Sequence, residues 1–128
     1  MKLLLDTCTF LWISLDAPEL SANARLLFQD PANEVFLSAA SAWEIGIKHS
    51  LGRLPLPTEP RTFVPALRET YRIEALPLDE ESCLQAARLP LLHQDPFDRA
   101  LVGQAIAHGL TILTPDRKIT AYPVRTLW

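Results

Sequence analysis

Three leucines in a row, Leu3-Leu4-Leu5, followed at once by Asp6, limit the folds open to this chain. A strand sends successive side chains to opposite faces, so this segment has no face suited to water. It is predicted to be a central strand of a parallel sheet, covered on both sides, with Asp6-Thr7 ending it. The next residues supply the cover. Phe10, Leu11, Trp12, Ile13 and Leu15 form a dense apolar segment read as a short buried helix. Ser21 is placed to cap a helix through Phe28, with Ala22, Leu26 and Leu27 turned inward and Pro31 closing the unit.

The same alternation recurs along the chain. Glu34-Val35-Phe36-Leu37 reads as a second strand ending at Ser38, and Ser41-Ala42-Trp43-Glu44 opens a helix to Leu51, stopped by Gly52. Pro55, Pro57 and Pro60 mark an irregular crossing. The helix that follows, from near Thr62 to Tyr71, must hold Pro65 in its first turn or kink there. Ile73-Glu74-Ala75-Leu76 is a third strand, and Asp79 caps a helix that carries Cys83, Leu84, Ala87 and Leu89 to Pro90. From Pro96 the apolar residues Phe97, Leu101 and Ala105, with Val102 and Ile106, fall at helical spacing. Asp95 stands at the N-cap, Pro96 at the first helical position and Gly109 at the stop. Residues 110–114 make a fourth strand with Asp116 just beyond it, and residues 124–127 a short fifth. This order predicts one domain over residues 1–128, a three-layer α/β/α sandwich around a mainly parallel five-stranded sheet.

Such sheets bind ligands beyond the carboxyl ends of their strands, where the strand order reverses. Asp6 and Asp116 follow strands, while Glu44 and Asp98 lie early in helices whose starts can reach the same rim. Each acid has a local use as well. Asp6 and Asp116 suit turns, Glu44 completes a Ser-x-x-Glu capping box with Ser41, and Asp98 can answer the cap at Asp95. Caps do not explain why four acids should share one edge, because gathered carboxylates repel. A hard divalent cation, magnesium or manganese, removes that repulsion and suits phosphoryl chemistry. Thr7, Ser38 and Thr114 stand where they can orient carboxylates or water. Lys48, Arg53, Arg99, Arg117 and Lys118 are candidate substrate contacts, Lys48 also at ion-pair spacing from Glu44.

Other chemistries lack their residues. His49, His93 and His108 show no zinc-ligand spacing and are read as helix-end or loop residues. There is no GxSxG elbow, phosphate-binding GxxxxGK loop or dinucleotide fingerprint. Cys8 is read as buried packing, and Trp12, Trp43 and Trp128 as core or interface. The net charge of -3 provides no global basic field, so any nucleic-acid binding rests on local patches. Two cysteines make no disulfide framework, and Asp6 interrupts the apolar start before it can read as a signal peptide. A cytoplasmic protein with no membrane span is therefore expected.

Taken together, Leu4-Leu5-Asp6-Thr7, residues 38–45 (SAASAWEI), residues 95–101 (DPFDRAL), residues 111–116 (TILTPD) and Tyr122-Pro123-Val124 resemble the PIN-domain ribonucleases, specifically VapC-type toxins of bacterial toxin–antitoxin pairs. The pieces follow the family's order over nearly the whole chain. The resemblance implies that Asp6, Glu44, Asp98 and Asp116 are the acidic set, with Asp95 behind it. It also implies Mg2+- or Mn2+-dependent cleavage of RNA, often transfer or ribosomal RNA, a VapB-type antitoxin that blocks the site, and a toxin homodimer. Relatives often carry arginine just before the fourth acid, where this chain has Pro115, which affects one RNA contact and not the acids. Two other readings stay open at this point: a similar nuclease acting on DNA or structured nucleic acid without an antitoxin, and a noncatalytic metal-binding regulatory module.

Overall fold

A computed structural model describes residues 1–128. Strands β1 (Lys2–Leu5), β2 (Glu34–Ser38), β3 (Glu74–Leu76), β4 (Thr111–Leu113) and β5 (Thr126–Leu127) form one sheet in the order β3-β2-β1-β4-β5, with every pair parallel. β1 is central, as its sequence requires. Leu3 and Leu5 enter one apolar cluster and Leu4 the other, and all three are fully buried.

The first cluster is closed by α1 (Thr7–Leu15), α2 (Ala22–Gln29), α3 (Ala39–Ser50) and α4 (Pro60–Tyr71), which contribute Phe10, Phe28, Ile45 and Val64. The second is closed by α5 (Glu80–Ala87), α6 (Pro96–His108) and α7 (Arg117–Thr120) through Ala86, Leu101, Val102 and Ile119. No helix is long and apolar enough to cross a membrane. The chain runs outward from β1 through β2 to β3, then returns to place β4 on the other side of β1. Strand order thus reverses between β1 and β4, and a crevice opens at their carboxyl ends.

Several boundaries differ from the sequence expectation. α1 starts at Thr7 rather than Phe10, because the Asp6 carboxylate accepts from the Thr9 amide at 2.7 Å and caps it. α3 starts at Ala39, capped by Ser38 and not Ser41, so Glu44 belongs to no capping box. α2 buries Ala24 and Phe28, one turn apart, and leaves Ala22 and Leu26 exposed; both lie about 200° around the helix from Ala24. Pro65 is inside α4, past the first turn, and Pro60 takes the N-terminal position instead. α7 is a single turn capped by Asp116, too short to leave a periodic pattern.

α5 and α6 pack so closely at Gly103 that a Cβ there would stand 2.5 Å from the Ser82 carbonyl oxygen and 2.8 Å from Ala86. Gly46, within α3, has open space around the same position. Alanine is the better helix former by about 1 kcal/mol, but overpacking costs about 1–3 kcal/mol. Gly46→Ala should therefore raise stability by about 0.5–1 kcal/mol. Gly103→Ala should lower it by about 1–2 kcal/mol. Urea unfolding of the two variants checks this packing, and equal gains would refute it.

Candidate active site

Asp6 follows the last residue of β1, and Thr114 follows the last residue of β4. Leu5 and Leu113 are register partners, so the two residues emerge side by side. The Thr114 hydroxyl donates to Asp6 Oδ2 while the Thr9 amide donates to Oδ1. The same hydroxyl oxygen accepts from the Asp116 amide at 3.0 Å, and the Asp116 carboxylate accepts from the Lys118 amide at the start of α7. One threonine thus links two acids from neighbouring strand ends.

Three further acids come from α3 and the start of α6, above the crevice. Glu44, 5% exposed, accepts from the Thr7 hydroxyl through Oε1 at 2.6 Å and from Lys48 through Oε2. Ser41 Oγ lies 3.0 Å from the Thr7 hydroxyl. At the start of α6, Asp95 accepts from the amides of Phe97 and Asp98. The Asp98 carboxylate does not return to the Asp95 amide; its Oδ2 lies 3.2 Å from His93 Nε2. Asp6, Glu44, Asp95, Asp98 and Asp116 line one small pocket of about 130 Å3, together with Thr7, Cys8, Lys48 and Lys118. The starts of α1, α6 and α7 all point their amides into this region, where their partial positive charge favours carboxylates.

That support does not fully offset crowding. Burial pushes the Asp6 carboxyl above its usual range; the hydrogen bonds from Thr114 and Thr9 oppose this, and Asp116 adds to it. Asp98 is pushed up to about 6, first by burial and then by the Asp95 charge, with the His93 hydrogen bond opposing and Glu44 and Asp116 adding. The Cys8 thiol, exposed rather than buried as the sequence reading had it, is pushed up to about 11 by desolvation and by Asp6 and Glu44. It is a thiol at neutral pH and no nucleophile. The Lys48 ammonium is raised by its hydrogen bond to Glu44, so it keeps its charge.

These donors are hard oxygens, the kind that Mg2+ and Mn2+ prefer. No three of the carboxylates converge as a ready-made ligand set. The arrangement fits an ion that takes one or two carboxylates directly and keeps water between itself and the others. The largest cleft, about 530 Å3 between α3 and α4, contains no acid, and Ser38 lies there as the cap of α3 instead of beside a carboxylate.

The basic residues separate just as clearly. Lys48 and Lys118 line the acid pocket; Arg53 and Arg117 are exposed and do not. Arg99, although adjacent to Asp98 in sequence, donates to the carbonyls of Ala86, Leu89 and Pro90 and to the Tyr122 hydroxyl. It closes the end of α5 and does not line the acid pocket. Trp43 is 64% exposed and stacks edge-on against Phe97, while Trp12 packs in the same way against Trp128. Sequence reasoning missed His93 and Tyr122, which meet only through the fold.

Residues 3–124 match the PIN domain family. The chain belongs to the PIN-domain family. Part of this PIN chain is 48% identical, over 52 residues, to ribonuclease VapC16 of Mycobacterium tuberculosis; the match covers 38% of the chain and 37% of that relative's length. The fold resembles VapBC2 from Rickettsia felis, solved bound to a promoter DNA fragment, with a TM-score of 0.73, 16% identity and coverage of 99% of this chain and 98% of that one. It also resembles DNA-bound VapBC from Salmonella typhimurium, with a TM-score of 0.64, 19% identity and coverage of 99% and 97%. At these identities the structural likeness concerns the PIN fold alone.

The raised Asp98 carboxyl has a consequence for stability. Its folded form holds a proton more tightly than the unfolded chain does, so its stabilising contribution is complete below the usual carboxyl value of 3.8 and is lost as pH rises towards about 6. In chelator, Asp98→Asn should flatten that decline and exceed wild-type stability at pH 7 by roughly 1 kcal/mol, allowing for solvent at the pocket mouth. Urea unfolding at a series of pH values measures it. An unchanged slope, with the variant weaker throughout, would leave Asp98 as a helix-start residue only.

Proposed function

We propose that the protein is a metal-dependent endoribonuclease of the VapC toxin type, hydrolysing RNA phosphodiester bonds and held in check by a VapB-type antitoxin. The observation that carries this reading is that Asp6, Glu44, Asp98 and Asp116, from separate parts of the chain, line one pocket at the strand-order reversal. Membership of the PIN family and the partial identity to a protein named a ribonuclease support RNA as the substrate.

Asp6, Glu44 and Asp98 would hold Mg2+ or Mn2+ directly or through water, with Asp116 supporting that ion or a second. When bound, a divalent ion lowers the pKa of water and stabilises charge that develops on a phosphoryl group. The protein's part is to fix the acids before substrate arrives. Thr114 and the Thr9 amide orient Asp6, and Thr7 orients Glu44. Lys48 is held by Glu44, whereas Lys118 makes no ion pair and is the cation available to an RNA phosphate. Arg53 and Arg117 would serve only RNA that extends beyond the pocket.

The same electrostatics bear on inhibition. An antitoxin segment that blocks the pocket would present arginine or lysine to the carboxylates. A homodimer and a cytoplasmic site of action belong to the same reading, which also directs the substrate search to transfer and ribosomal RNA.

Purified without a partner, the protein should cut RNA in Mg2+ or Mn2+ and stop in excess chelator. Asp6→Asn and Glu44→Gln should each reduce cleavage about a hundredfold or more, the scale expected when one preorganised charge-stabilising group is lost. Expression alone should arrest growth, and Asp6→Asn should relieve the arrest. Chelator-resistant cleavage would contradict the metal role. DNA cleavage with no action on RNA would instead favour the DNA-acting alternative.

A further inference from the structure

His93 stands in the loop before α6 with both ring nitrogens engaged. Nε2 lies 3.2 Å from Asp98 Oδ2, and Nδ1 lies 2.7 Å from the Tyr122 hydroxyl. Tyr122 is 3% exposed and packs in the second apolar cluster. Its hydroxyl oxygen accepts from Arg99 Nη1 at 3.0 Å. Arg99 is itself anchored by the carbonyls of Ala86, Leu89 and Pro90, and its guanidinium carbon lies 5.8 Å from the Tyr122 ring centre.

A tyrosine hydroxyl carries one proton. With Arg99 donating to the oxygen, that proton has two acceptors within reach, His93 Nδ1 at 2.7 Å and the His93 carbonyl at 3.5 Å. The shorter contact has normal hydrogen-bond length and the longer does not. Nδ1 is then an acceptor, and the neutral imidazole carries its proton on Nε2, facing Asp98. This donor occupies Oδ2, while Oδ1 takes no hydrogen bond from the protein.

We propose that Tyr122, backed by Arg99, acts together with the Asp98 carboxylate to fix the Nε2–H tautomer of His93, making His93 the positioning residue that holds Asp98 by one oxygen and leaves the other for a divalent cation. The inference rests on the pocket being the cation site described above. Outer-shell partners of metal-ligating carboxylates act in this way, and their loss costs about 10–100-fold in metal affinity.

The experiment uses the full chain at about pH 8, above the ordinary imidazole range. Nitrogen-15 NMR of His93 in chelator reads the tautomer, and calorimetric titration reads Mg2+ affinity. Wild type should show the proton on Nε2. Tyr122→Phe keeps the buried ring; it should raise the Nδ1–H share of His93, which the Asp98 carboxylate still opposes, and weaken Mg2+ binding by about tenfold. In a His93→Gln background, where an amide has no tautomer to select, adding Tyr122→Phe should leave Mg2+ affinity unchanged. An unaltered tautomer in Tyr122→Phe, or an equal loss of affinity in both backgrounds, would overturn the proposal. Asp98→Asn tests the underlying site reading separately: if it binds Mg2+ as wild type does, the pocket assignment fails, whatever the tautomer shows.

Discussion

Asp6 is bonded from two directions, by the Thr9 amide at the start of α1 and by the Thr114 hydroxyl just past β4. Thr9 also donates its own hydroxyl to the Leu113 carbonyl at 3.1 Å. These bonds join the end of the central strand, the first helix and the neighbouring strand in one buried knot, since Asp6, Thr9 and Thr114 are all less than 5% exposed. A buried carboxylate without such donors would be costly to leave charged. Here one donor, Thr114, comes from the position that the parallel register of β1 and β4 sets beside Asp6, and the other from the first turn of the helix that Asp6 caps. The fold therefore determines the place of the first acid, and that acid anchors one wall of the pocket.

The other acids add a cost that hydrogen bonding does not remove. Asp116 raises both Asp6 and Asp98, and Asp95 raises Asp98 further. Three helix starts and Lys48 offset part of it. The remaining imbalance is the physical basis for proposing a cation, because stability alone would be served better by fewer acids. A site of this kind gives up some stability to hold charge in readiness.

Much of the fold was legible because local chemistry and global position agree. Leu3-Leu4-Leu5 could only be a central strand, and α6 carries its cap, its proline and its stopping glycine in the expected order. Asp6 and Asp116 were legible as strand-end acids for the same reason. Other features depended on tertiary choice. Ser38 and Ser41 are both good caps, and the end of β2 decides between them. Leu26 is as apolar as any core residue, yet Ala24 and Phe28 face the sheet. Arg99 adjoins Asp98 in sequence but lies about 100° around the helix, where α5 presents its free carbonyls. His93 and Tyr122 are separated by 29 residues, and neither spacing nor composition links them.

If the acids form one cation site rather than four separate helix and strand ends, they share one Mg2+ response. Thermal unfolding of wild type, Asp6→Asn, Glu44→Gln, Asp98→Asn and Asp116→Asn across a Mg2+ titration tests it most directly. Wild type should gain about 2.7 kcal/mol when Mg2+ reaches a hundredfold excess over its dissociation constant. Asp6→Asn, Glu44→Gln and Asp98→Asn should each lose most of that gain, and Asp116→Asn part of it. The same Mg2+ response in wild type and all four variants would contradict a shared site.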